Sequence, residues 1–151
     1  MYEVRPAKSI DAEAVQRIYS TCISTADWLP ELARADVDFA QSSVGELVYV
    51  AVASSGEVAG FISVQASESF VHHLYIHHKY QGKGVGRRLL SSLEPWLLAP
   101  WRLKCVRINQ RALDFYIKFG WREVGGGESE QGAYAVLEWQ GSYVAPVYTK
   151  F

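Results

Sequence analysis

The sequence predicts an α+β fold, a mixed sheet with helices packed against it. Three observations lead there. Seven short runs rich in β-branched and aromatic residues are separated by turn residues. Stretches with apolar residues at helical spacing interrupt them, giving the order β-α-α-β-β-β-α-β-α-β-β. The 151 residues are 49% hydrophobic and 21% charged, which suits one soluble domain with a sizeable core.

Tyr2 to Pro6 alternates Tyr2, Val4 and Pro6 against Glu3 and Arg5 and reads as a first strand. Ser9 or Asp11 caps a helix to about Ser24, with Ala14, Val15, Ile18, Tyr19 and Cys22 on one face. Trp28-Leu29-Pro30 breaks that pattern, and Trp28 and Leu29 read either as a cover over the core or as a wall of a substrate pocket. Glu31 to Ser42 reads as a second, short helix. Leu47 to Ala53 and Val58 to Ser67 form a hairpin about the turn Ser54-Ser55-Gly56-Glu57. Val71 to Ile76 is a strand, and Arg87 to Leu98 a helix burying Leu89, Leu90, Leu93 and Leu97, with Pro95 kinking it or ending it early. Leu103 to Ile108 is a strand, and Gln110 to Phe119 a helix closed by Gly120. Trp121 to Val124 and Tyr134 to Trp139 make a closing hairpin, with Gly125-Gly126-Gly127 opening its loop. Gly141 to Phe151 is a tail.

The stretch Gln81-Gly82-Lys83-Gly84-Val85-Gly86-Arg87-Arg88 joins the mid-chain strand to its helix. Glycines at alternate positions let the backbone approach a ligand and aim N–H groups at an anion, and the helix start adds its positive end. A dinucleotide fingerprint fails because Arg87 stands where a third glycine is required, and no Gly-Lys-Ser or Gly-Lys-Thr exists for a P-loop. Net charge is −1, so no basic footprint for nucleic acid is present. The longest apolar run, Leu47 to Ala53, is too short to span a bilayer, and residues 1–14 lack a signal peptide's apolar core. Cys22 and Cys105 are isolated thiols, expected reduced, and the expected compartment is the cytoplasm.

The pattern Gln81, Gly84, Gly86 resembles the acetyl-CoA pyrophosphate loop of the GCN5-related N-acetyltransferases (GNAT). A second stretch, Asn109 to Tyr116 followed by Phe119-Gly120-Trp121, resembles the same family's second cofactor motif. With Leu74-Tyr75-Ile76, the resemblance runs over about residues 2–140, and residues 1–151 are expected to form one N-acetyltransferase domain. It implies a mostly antiparallel, splayed sheet flanked by about four helices. It also implies that Leu74, Tyr75 and Ile76 line a pantetheine arm, that Gln81, Gly82, Lys83, Gly84, Val85, Gly86 and Arg87 cradle the pyrophosphate, and that Asn109 hydrogen-bonds the arm's amide. Arg88 is a further cation near the phosphates. Asn109 also reads as a plain helix N-cap.

The implied activity is acetyl transfer from acetyl-CoA to a primary amine in a ternary complex. Tyr116 matches the family's usual acid for the departing thiolate, although it also lies on an apolar helical stripe with Ala112, Phe115 and Phe119. The base is expected on the strand before the loop. His72 ranks ahead of His73, and Glu68 is a third candidate. Strand alternation predicts that His72 and His73 face opposite sides of the sheet. No metal is expected, because an extended strand spreads His72 and His73 from His77 and His78 by roughly 13 to 17 Å. The acceptor is open: a small-molecule amine, an amino acid, a polyamine or a peptide amine. Dimerisation through the closing strands is common in the family. A non-catalytic acyl-CoA-binding regulatory module is the alternative, and a pure interaction domain fits the intact loop poorly.

Overall fold

The computed structural model of the chain describes residues 1–26 and 38–141. Trp28, Leu29, most of the expected second helix and nearly all of the tail lie outside the described residues. Seven strands form one open sheet: β1 (Tyr2–Pro6), β2 (Leu47–Ala53), β3 (Val58–Gln65), β4 (Phe70–Ile76), β5 (Trp101–Val106), β6 (Arg122–Ser129) and β7 (Gly132–Trp139). Their order across the sheet is β1-β2-β3-β4-β5-β7-β6. Every neighbouring pair is antiparallel except β4 and β5. Four α-helices are described: α1 (Ala12–Ser24), α2 (Phe39–Ser42), α3 (Val85–Ser91) and α4 (Gln110–Lys118).

The two faces of the sheet carry different helices. Val15, Ile18, Tyr19 and Ile23 of α1 and Phe39 of α2 pack with Val50 and Phe61 on one face. Val85, Leu89 and Leu90 of α3 and Tyr116 of α4 pack with Ile62, Val64, Leu103 and Leu137 on the other. Strand β3 lies centrally and is covered on both faces, which is why Val58 to Val64 is buried throughout rather than alternating. No helix among the described residues is long and apolar enough to cross a membrane.

Three elements depart from expectation. Helix α3 begins at Val85 and ends at Ser91. Pro95 has no N–H to continue the ladder, so 3-10-like bonds such as Leu93 N to Leu90 O (3.1 Å) take over while Leu93 and Leu97 stay buried. Strand β5 starts at Trp101, whose ring packs 4.2 Å from that of Trp139. The run Gly125-Gly126-Gly127 lies inside β6 and does not open the loop. A Cβ at Gly126 would sit 2.8 Å from Tyr134 O, and one at Gly127 2.6 Å from the Tyr134 hydroxyl, so close packing on β7 explains these glycines. The turn falls instead at Glu130 and Gln131, closed by Gly132 at φ +108°.

Candidate active site

The site is organised by an irregularity in β4. Ser63 pairs with His73 and Val64 with Val71, so His72 is an extra residue in the ladder, a β-bulge. In a regular strand Val71 and His73 would share a face. Here Val71 belongs to the core under α3 and α4, whereas His73 meets the rings of Tyr19 at 5.6 Å and Phe39 at 5.1 Å on the α1 side. The expectation that His72 and His73 face opposite sides is therefore wrong. Their rings lie 3.9 Å apart, because the bulge adds a half-period to the strand.

Both histidines converge on Glu46, in the turn between α2 and β2. Its side chain is only 7% exposed. His72 Nδ1 bonds Glu46 Oε2, and the Ser63 hydroxyl donates to Glu46 Oε1. His73 Nδ1 lies 2.8 Å from Ser63 Oγ and 3.4 Å from Glu46 Oε1, and its Nε2 lies 3.0 Å from Ser42 Oγ. His73 is 5% exposed, whereas the His72 side chain is 42% exposed. Burial pushes His73 down to about 4; the neighbouring His72 charge adds to the shift and Glu46 opposes it. The donor atoms of Glu46, His72 and His73 lie within 4.8 Å of one another, and hydrogen bonds already engage all three. His77 and His78 lie beyond the far end of β4, with rings 5.6 Å apart, and do not join this group. Glu68 is exposed in the turn before β4.

Glu46 and Ser63 escaped the sequence reading. Ser63 had a signal, a hydroxyl in the middle of an apolar buried strand. Glu46 had none locally, since it meets His72 across 26 residues of sequence.

On its other edge β4 is almost unpaired among the described residues. It meets β5 only at Phe70 and Arg102. Leu74, Tyr75 and Ile76 pair with Ile62, Phe61 and Gly60 of β3, while on the β5 side the ladder has already stopped. The expected splay is present. Gly60 of β3 packs against the same stretch from its paired side: a Cβ there would lie 2.9 Å from Tyr75 O.

Beyond Ile76 the chain turns through His78–Tyr80 into the glycine stretch. Glu57 anchors that turn, accepting from the Tyr80 hydroxyl (2.6 Å) and Lys79 Nζ (3.2 Å). Gln81 Nε2 donates back to Ile76 O at 3.1 Å. Gly82 and Gly84 take left-handed φ of +75° and +83°, which side-chain-bearing residues rarely adopt. Gly86 differs, standing inside α3 where a Cβ would lie 3.3 Å from the Phe115 ring. Val85 is buried, Lys83 is exposed, Arg87 lies over the Phe119 ring at 5.1 Å, and Arg88 donates to Tyr2 O at 2.6 Å.

Asn109 caps α4, its Oδ1 accepting from Ala112 N at 3.2 Å. Tyr116 is buried in the core, with its ring edge-on to Trp121 at 5.5 Å. Burial raises its hydroxyl well above the ordinary tyrosine value, and the neighbouring Cys105 and Tyr75 add to the shift. Both cysteines are free thiols pushed up to about 11 by burial; Cys22 Sγ contacts Ile76 O at 3.6 Å.

A family model described as an acetyltransferase (GNAT) domain matches residues 12–136. The chain is 32% identical over 102 residues to the L-amino acid N-acyltransferase MnaT of Escherichia coli K12, a match covering 60% of this chain and 59% of that protein. The solution structure of apo YjaB from Escherichia coli covers 94% of this chain and 99% of its own, with TM-score 0.78 and 21% identity. The PaiA N-acetyltransferase of Thermoplasma acidophilum in complex with coenzyme A covers 93% of this chain and 99% of its own, with TM-score 0.71 and 18% identity. At those identities the two structures are likenesses of fold.

Proposed function

The chain belongs to the GNAT acetyltransferase family, and from that premise we propose that it moves an acetyl group from acetyl-CoA directly onto a primary amine while both are bound. The observation that carries this reading is the open β4 edge, which runs from the Glu46–His72 pair at one end to the left-handed glycine turn at the other.

The residues fit the donor. Main-chain groups on the open side of Leu74, Tyr75 and Ile76, apart from the Ile76 O that Gln81 already holds, suit the amides of a pantetheine arm, which would restore the partners that β5 withdraws. Gly82 and Gly84 open the backbone of Gln81 to Arg87 to a pyrophosphate, and Lys83 adds charge there. Asn109 spends its carbonyl on α4 and keeps its NH2 to donate to the arm. The coenzyme A held by PaiA supports this ligand class.

The acceptor amine must lose a proton, which costs a lysine-like amine roughly 4 to 5 kcal/mol at neutral pH. His72, half-exposed, takes that proton. His73 is buried with both ring nitrogens engaged and serves as scaffold. A backbone N–H near Ile76 supports the tetrahedral oxyanion. Tyr116, whose burial keeps its proton on the hydroxyl, donates a hydrogen bond to the departing thiolate.

Thiol release from acetyl-CoA, measured against a panel of amines, tests the reading. L-amino acids lead the panel because MnaT is named for them. Release with one amine class is the expected result. Coenzyme A binding by calorimetry without release on any acceptor would favour the regulatory module, and no binding would overturn the site.

A further inference from the structure

We propose that Glu46 is a positioning residue that fixes the tautomer of His72 and presents its Nε2 as the proton acceptor. The inference rests on the reading of His72 as the base and adds the group that makes it one. Proton counting in the cluster carries it. Ser63 Oγ has one proton and lies against both Glu46 Oε1 and His73 Nδ1. A carboxylate only accepts, so Ser63 donates to Glu46 and must accept from His73 Nδ1–H. His73 Nε2 then accepts from the Ser42 hydroxyl at 3.0 Å. This leaves Glu46 Oε2, which can only accept, facing His72 Nδ1. His72 therefore carries its proton on Nδ1. With Glu46 as a carboxylate, this assignment satisfies every polar atom of the cluster.

The consequence is directional. His72 Nε2 keeps its lone pair on a ring that is 42% exposed, while Nδ1–H is tied to a carboxylate that is 7% exposed. As the amine nitrogen attacks the acetyl carbon, its proton passes to Nε2 and no bond to the protein forms. The imidazolium so made lies against the Glu46 charge and returns the proton to solvent from its exposed edge. This is the role of the carboxylate in a carboxylate–imidazole pair. Glu46 also ties the bulged strand to the α2–β2 turn, because its second oxygen holds Ser63 of β3.

Two measurements test it. Two-bond 1H–15N correlation spectra of the imidazoles read the His72 tautomer in the unmodified protein, with His72→Gln providing the assignment. Nδ1–H is expected, and Nε2–H would overturn the proposal without any variant of Glu46. Glu46→Gln is then assayed with the amine found in the panel. The expected result is turnover lower by roughly 10² to 10⁴, an unchanged KM for acetyl-CoA and a mixed or reversed His72 tautomer. Normal turnover in Glu46→Gln beside an inactive His72→Gln would remove Glu46 from the mechanism and leave the base in place. Normal turnover in His72→Gln would remove the base, and the positioning role with it. If Glu46→Gln does not fold, the spectrum of the unmodified protein decides.

Discussion

Lowering the pH should destabilise this fold through one buried ring. His73 is 5% exposed, packed among Tyr19, Phe39 and Tyr75, and is pushed down to about 4. In the unfolded chain the same imidazole titrates near 6.5. The sign follows from linkage. The folded state holds His73 neutral, so its contribution is fully present above about pH 6.5 and is lost as pH falls towards the folded value. Integrating between those two values gives a loss of about 2 kcal/mol at pH 5 and about 3 kcal/mol at pH 4. Asp11 does not cloud this window. Arg5 donates to it at 2.7 and 3.1 Å and holds its carboxyl below the ordinary range, so its loss comes at more acidic pH. The assay is urea unfolding of the wild type and of His73→Gln at pH 7, 6, 5 and 4. The variant is less stable at pH 7, because it loses the Ser42 and Ser63 bonds, but its stability should fall less between pH 7 and 4 by about the amount worked above. Parallel curves for the two proteins would refute the reasoning, since they would mean that His73 titrates as a solvated ring.

Three further changes probe the rest of the site. Gly84→Val forces a β-branched residue into φ +83°, which costs about 1 to 2 kcal/mol of stability, and it should abolish coenzyme A binding in calorimetry; unaltered affinity would remove the glycine turn from the site. Gly60→Ala brings a methyl group to 2.9 Å from Tyr75 O and 2.7 Å from Ile76 Cδ1. It should destabilise by about 1 to 3 kcal/mol and weaken coenzyme A binding by shifting the open edge, whereas weakened stability with unchanged affinity would separate that edge from the ligand. Tyr116→Phe should lower turnover by roughly 10² to 10⁴ with acetyl-CoA affinity intact, and wild-type turnover would return Tyr116 to the role of core residue.

Periodicity served well wherever the backbone is regular. Helices α1 and α4 were legible to within a few residues because one face of each is buried and the other wet, and β2 was legible to the residue from its run of β-branched residues between turns. The splay between β4 and β5 was legible only through the family resemblance, since no residue pattern marks where two parallel strands part. The glycine run of β6 was misread for a physical reason. Turn propensity and tight cross-strand packing both select glycine, and only the position of Tyr134 tells them apart. Alternate glycines do not show by spacing that Gly82 and Gly84 take left-handed φ whereas Gly86 stands in α3, where its lack of a side chain makes room for Phe115. The polar cluster at the bulge was least legible. Its polar members come from the α2–β2 turn, β3 and β4, and no local spacing could connect Glu46, Ser63 and His72.

The misassigned faces of His72 and His73 point to how the site is built. A strand without the bulge would send His73 to the face of Val71, into the apolar core under α3 and α4, where Ser42 and Glu46 could not reach it. One inserted residue turns both rings to the α1 side and sets them against Glu46. A bulge also bends its strand and increases local twist. Strand β4 parts from β5 just after Phe70, two residues before the inserted His72. The gap that suits the donor's arm and the cluster that suits the acceptor's proton thus meet at one backbone irregularity. Their relative placement is held by a short stretch of main chain, clamped by β3 on one side and by Glu46 from the α2–β2 turn. A single inserted residue thus sets an open sheet edge and a paired imidazole close together on one strand.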